Sequence, residues 1–230
     1  MSLKLPFLSL SPGALFGIGL CALLSLTAAP SRADYEPLGL HELFGQSELI
    51  VRGTIEEVKD KTFLLGEFEV LHGPNPDKPL EIKRFIDWSG NSRWSGYRVG
   101  QEVLLFLAGP EDASNADSPP WNIRGYGGEG EMPVEHGFVY LHGLFLEGFQ
   151  RQRFTVQHGT LDGYRFHLDA FLAALKGYNR CFRFAEGPQT ERSPSIVQQC
   201  DDETLAIFCR QSALNRYLVE LTLQDIQTRS

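Results

Sequence analysis

Ser47-Glu-Leu-Ile-Val-Arg-Gly-Thr-Ile-Glu-Glu-Val58 is rich in β-branched residues and alternates apolar with polar side chains through Thr54 and Ile55. A two-residue repeat of that kind predicts a strand over about 49–58. Lys59-Asp-Lys61 is a polar turn, and Thr62–Leu71 behind it reads as a second strand, so the pair should be an antiparallel hairpin. His72-Gly-Pro-Asn-Pro-Asp-Lys-Pro79 then breaks the pattern with prolines, which lack amide donors, and with turn formers. Leu80–Asp87 reads as a third strand. Gly100-Gln-Glu-Val-Leu-Leu-Phe-Leu-Ala108 is apolar on both faces and predicts the most deeply buried strand of the set.

Working outward, Leu40, Leu43 and Phe44 fit a short amphipathic helix before the hairpin. Beyond it, Gly109–Pro120 is a small acidic loop. Trp121–Tyr126 and Gly137–Leu146 read as strands around a glycine-rich bend, and Arg153–Gln157 adds one more. The character then changes. Phe166–Gly177 predicts a helix closed by its glycine, with Leu168, Phe171, Leu172 and Leu175 on one face. Gly187–Pro194 reads as a linker, and Asp201–Leu223 as a second helix whose acidic start suits the helix dipole. Strands followed by helices give an α+β protein: a small antiparallel β-barrel, OB-like, followed by a helical C-terminal tail. The expected division is a signal peptide over 1–33, the barrel domain over 34–160 and the helical region over 161–230. The tail is either a cap on the barrel or a separate helical hairpin.

The N-terminus carries Lys4 and then no charge until Arg32. Ala14–Leu26 between them is apolar, the length of a secretory core and too short to span a bilayer. With Ser31 and Ala33 as the small residues a signal peptidase reads, cleavage should leave Asp34 first and 197 of the 230 residues. The protein is thus expected outside the cytoplasm, periplasmic or extracellular, with no membrane association after cleavage. Net charge is −8 for the whole chain and −10 once Lys4 and Arg32 leave, a field that repels nucleic acid. Cys181, Cys200 and Cys209 remain after cleavage. An oxidising compartment favours one bridge, and the helix assignment keeps Cys200 and Cys209 about 13 Å apart. Cys181 should therefore pair with Cys200 or Cys209.

The hairpin segment from Ser47, the run Phe68-Glu-Val-Leu-His-Gly and the strand from Gly100, together with Tyr126-Gly-Gly-Glu-Gly-Glu-Met-Pro-Val134, resemble a set of exported bacterial proteins of unknown function. Their barrel is similar to the netrin-like and tissue-metalloproteinase-inhibitor OB-fold. The resemblance covers residues 38–146 and implies a fold. Inhibitors of that type place an N-terminal cysteine on the enzyme's zinc, whereas here no cysteine lies between Asp34 and Cys181. The inhibitor mechanism is therefore not implied.

Gly125-Tyr-Gly-Gly-Glu-Gly130 matches a dinucleotide fingerprint as a string, but Glu131-Met-Pro-Val that follows has no helical period. A phosphate cradle needs a helix N-terminus there, so the segment reads as a tight bend, with Glu129 and Glu131 as its acidic residues. His41-Glu42 lacks a second histidine one turn on, and Glu135-His136 with His142 is the one histidine grouping that a shared strand face would assemble. No metal site and no cofactor is expected. Ser92 sits in Gly90-Asn-Ser-Arg-Trp94, which ends in Trp where a nucleophile elbow needs glycine. The loop Trp88–Tyr97 is more informative. Trp88, Arg93, Trp94 and Tyr97 are side-chain types that dominate contact energies, and they form the candidate binding surface. The alternative use of the same aromatics is to plug an open barrel end. The function these features point to is an exported, non-enzymatic binding or interaction domain for a protein or small-molecule ligand. The competing reading is a secreted hydrolase with a site assembled from separated residues.

Overall fold

The sheet of the protein runs β3-β2-β1-β4-β6-β7-β9-β8, antiparallel throughout, with a short β5 set against β4. This description comes from a computed structural model and covers residues 35, 37–76, 78–109, 120–126, 128–185 and 195–229. The expected signal segment, most of the loop Gly109–Pro120, Gly127 and the whole of the linker Gly187–Pro194 lie outside the described residues. The opening hairpin is β1 (Leu49–Val58) with β2 (Thr62–His72); β3 is Leu80–Lys83, β4 Glu102–Ala108 and β5 Asn122–Ile123. A second hairpin joins β6 (Glu131–Glu135) to β7 (Phe138–Leu141), and a third joins β8 (Gln152–Val156) to β9 (Gly159–His167).

The sheet is not closed into the expected barrel. Trp121 makes a bridge to Ile82 of β3, which curls one end of the sheet. At the other end β8 pairs only with β9, so the path stays open. What replaces closure is burial of both faces. Along β4, Leu104 and Phe106 enter one apolar cluster while Val103, Leu105 and Leu107 enter the other. Ile50 and its neighbours Leu49 and Val51 on β1 divide the same way. Two-sided burial is why β4 is apolar at every position from Val103 to Leu107.

Helices cover the first face. Helix α1 is Leu40–Gln46, α2 Leu168–Cys181, α3 Asp202–Gln211 and α4 Ala213–Arg229. Phe44 of α1 stacks on Phe106 of β4 at 5.7 Å and meets Phe171 and Tyr178 of α2 edge-on. Phe208, Leu214, Leu218 and Val219 of the last two helices enter the same cluster. The tail is therefore a cap that shares the main core. A bridge between Cys181 and Cys200 ties the end of α2 to the approach of α3, and Cys209 is a free thiol.

Two helix limits differ from expectation. Helix α2 passes through Gly177 rather than ending there. A side chain at that position would meet the Phe208 ring at 2.5 Å, so the glycine serves the approach of α3 and not a helix end. The expected single helix over 201–223 is two. Ser212 is extended (φ −158°, ψ 162°), and its Oγ accepts from the Asn215 amide at 3.0 Å, so it starts α4 as a cap. A small hairpin of β10 (Phe182–Ala185) and β11 (Ser195–Gln198) flanks the region read as linker. No described helix is long and apolar enough to cross a membrane.

Candidate functional site

The loop between β3 and β4 carries Trp88, Arg93, Trp94 and Tyr97, and it folds inward. Arg93 is anchored from its backbone, whose amide donates to Asp87 Oδ1 at 2.9 Å. Its guanidinium lies between the Trp94 and Tyr97 rings, 3.8 and 3.9 Å from their centroids. Nε and Nη2 both donate to Glu131 Oε1, and Nη1 donates to the Ser95 carbonyl. Tyr97 Oη donates to the other carboxylate oxygen of Glu131 at 2.8 Å and accepts from the Phe85 amide. Burial first, and then the Glu131 charge, push the Tyr97 phenol far above its ordinary value. Every one of these bonds except that of the Phe85 amide is charge-assisted, and together they fix the Arg93 and Tyr97 side chains.

His142 lies beneath the same loop. Its Nε2 donates to the Glu131 carbonyl at 2.9 Å, and its ring meets Trp94 edge-on at 5.2 Å. Burial pushes the imidazole below its ordinary value, with Glu131 pulling the other way. Glu129 and Glu131 are not exposed acids of a surface bend: they are 0 and 1 % exposed. Glu129 Oε1 accepts from the Leu38 amide at 3.2 Å. The bend itself does need glycine, with φ of +79° at both Gly125 and Gly128. No phosphate cradle forms there, since a strand and not a helix follows.

Beside this network opens a groove of about 430 Å³. Buried Trp94 and His142 line its depth, Ser92 and Phe145 its sides, and the β8–β9 hairpin supplies Arg151, Arg153 and Asp162. Arg153 grips Asp162 with two parallel bonds of 3.0 Å, and Arg151 donates to the Asp162 carbonyl. One guanidinium charge is thus in excess at the mouth, on a chain of net charge −8. Trp94 Nε1 is buried without a hydrogen-bond partner among the described residues. Phe145 is 76 % exposed.

Of the four candidate contact residues, Arg93 and Trp94 are buried, Tyr97 is half-buried in the stack, and Trp88 is 44 % exposed with its Nε1 donating to the Tyr126 carbonyl. Only Trp94 of the four lines the groove. Glu135-His136 and His142 do not share a strand face: His136 sits in the β6–β7 turn with φ +52°, exposed, and His142 is buried beyond β7. Ser92 and His142 both line the groove, yet among the described residues no hydrogen bond joins them and no carboxylate orients the imidazole. The hairpin wall of the groove was not legible in the sequence because β9, which pairs with β8 and carries Asp162, was not read as a strand. Its hairpin turns at Gln157 and His158, with φ of +49° and +62°. Side chains of those types give no turn signal in sequence, where Asn-Gly would have. Tertiary bonds hold the turn instead, Gln157 Nε2 donating to the carbonyls of Glu102 and Val134. No protein-family model, curated protein or solved structure matches the chain.

Proposed function

We propose that the protein is an exported, non-enzymatic binding domain, and that the groove beside Trp94 takes a small polar ligand bearing an anionic group. The observation that carries this is the pairing of an excess guanidinium at the mouth with a rigid, buried wall of Trp94 and His142. Ligand sites of this kind are concave and largely pre-formed, with a few polar groups fixing orientation. The Arg93–Glu131–Tyr97 network provides that rigidity without itself reaching the ligand. Export is supported by the leader-like segment over 1–33 and by the Cys181–Cys200 bridge, a bond favoured in oxidising compartments. A hydrolase site in this groove would need Ser92 bonded to His142, and among the described residues no hydrogen bond joins the two. The test is a fragment screen by NMR on ¹⁵N-labelled protein with carboxylates, phosphate esters and uronic acids. Hits should move the Trp94 indole N–H resonance and leave that of Trp121 still, and Arg151→Ala should weaken them. Hits that leave Trp94 unmoved would reject the site.

A further inference from the structure

Away from the groove and independent of it, the first and last described helices bring three metal-ligating side chains together. His41 and Glu42 stand at the start of α1, and Asp225 lies near the end of α4, 184 residues further along the chain. One donor atom from each lies within 4.8 Å of the other two. The core sets this meeting. Leu40, Leu43 and Phe44 fix α1, while Leu218 and Thr222 of α4 are fully buried. Residues 218, 222 and 225 fall on one helical stripe, so Asp225 is turned toward α1. Thr222 is pinned by a 2.8 Å bond to the Tyr178 hydroxyl. His41 is 7 % exposed, and Asp225 and Glu42 are half-buried.

We propose that His41, Glu42 and Asp225 bind one divalent transition cation, zinc being the best fit. His41 Nε2 and Asp225 Oδ2 are 3.3 Å apart. Donors at the usual zinc distances of about 2.0–2.1 Å stand roughly 3.3 Å from one another around a tetrahedral ion, so this edge is already formed. Glu42 Oε2 accepts from the Gly39 amide at 2.8 Å and Oε1 from Gln46 Nε2 at 3.4 Å, bonds that steady the carboxylate that would complete the face. One imidazole nitrogen and two carboxylates suit zinc or its first-row neighbours; calcium wants six or more oxygens. With His41 neutral, the two carboxylates balance the ion's charge, which favours it in a half-buried place. Bound there, the cation clamps α4 to α1 and leaves one position for water.

The EDTA-stripped chain is titrated with Co²⁺, whose visible absorption reports the donor set, and then with Zn²⁺ while melting is followed. We expect a 1:1 titration with bands stronger than those of the aqua ion, displacement by Zn²⁺, and a rise in Tm with Zn²⁺ that EDTA reverses. Asp225→Asn and His41→Gln should each weaken Co²⁺ binding by about 10-fold or more. His158→Gln, on an exposed turn, should leave it unchanged. A parent chain that gives only the aqua-ion spectrum overturns the site whether or not the variants fold. Binding that survives Asp225→Asn, or that His158→Gln removes, overturns it equally.

Discussion

Arg93 and Glu131 meet inside the protein through two hydrogen bonds to a single carboxylate oxygen, at 3.0 and 2.8 Å, with their side chains 3 and 1 % exposed. Neither residue reaches the groove, yet the Trp94 and Tyr97 rings on either side of the guanidinium are positioned by it. Ion pairs this deep are costly to form and more costly to break, since loss of one partner leaves a charge without solvent or counter-charge.

Glu131→Gln should therefore destabilise the chain by about 3–5 kcal/mol, with Arg93 left as the uncompensated charge. The double change Arg93→Met with Glu131→Gln removes that charge and keeps an acceptor for Tyr97 Oη. It should lose distinctly less than the two single changes added together. Urea unfolding of the four proteins measures the coupling, and strict additivity would reject it.

His142 sets a pH dependence whose sign follows from burial. Its folded value is lowered, so between that value and the ordinary 6.5 the folded chain holds fewer protons there than the unfolded chain. Stability is full above 6.5 and is lost as pH falls through that interval. His72, lowered in the same direction by partial loss of solvation, adds to the slope. Replacing His142 with Gln keeps a donor for the Glu131 carbonyl and removes the titration. Its unfolding free energy should fall less than the parent's between pH 7 and pH 5. An unchanged slope would show that His142 does not titrate on unfolding.

The bridge between Cys181 and Cys200 closes a short loop, with a sequence separation of 19. Replacing both with Ala should cost about 3 kcal/mol, chiefly by freeing the unfolded chain. Cys209, whose thiol burial pushes up, should tolerate Ser with a far smaller change. Alkylation of the native chain after denaturation should label Cys209 and neither of the other two tail cysteines.

How far the sequence could be read depended on which contacts were local. The strand Leu49–Val58 and the two-faced burial of Glu102–Ala108 were legible, because side-chain period and apolarity are written in the strands themselves. The pairing of Cys181 was narrowed by helix rise alone. Barrel closure was not legible, since it depends on whether β8 finds a distant partner. The same holds for Glu131, which reads as an acidic turn residue until Arg93 and Tyr97 are seen around it. The meeting of His41 with Asp225 leaves no local signal at all.

The turn that concealed β9 yields a stabilising change. His158 is exposed and holds φ +62°, a conformation costing a side-chain-bearing residue about 1–2 kcal/mol relative to glycine. His158→Gly should raise stability by about 1 kcal/mol, the gain being reduced by the greater freedom of glycine in the unfolded chain. No change or a loss would mean that the His158 ring makes contacts that offset the backbone cost.

The glycine-rich bend separates backbone strain from packing by comparison of two sites. Gly128 and Gly137 have nearly the same φ, +79° and +77°. A methyl group at position 137 would meet nothing within 4 Å, whereas at position 128 it would meet His142 Cε1 at 2.7 Å. Gly137→Ala should thus cost about 1 kcal/mol, the strain alone. Gly128→Ala carries the same strain and must also displace an imidazole held by the Glu131 carbonyl, so it should cost clearly more. It should also shift the Trp94 indole N–H resonance, because the His142 ring rests against Trp94. Equal losses at the two positions, with Trp94 unmoved, would show that the bend is not packed against the wall of the groove.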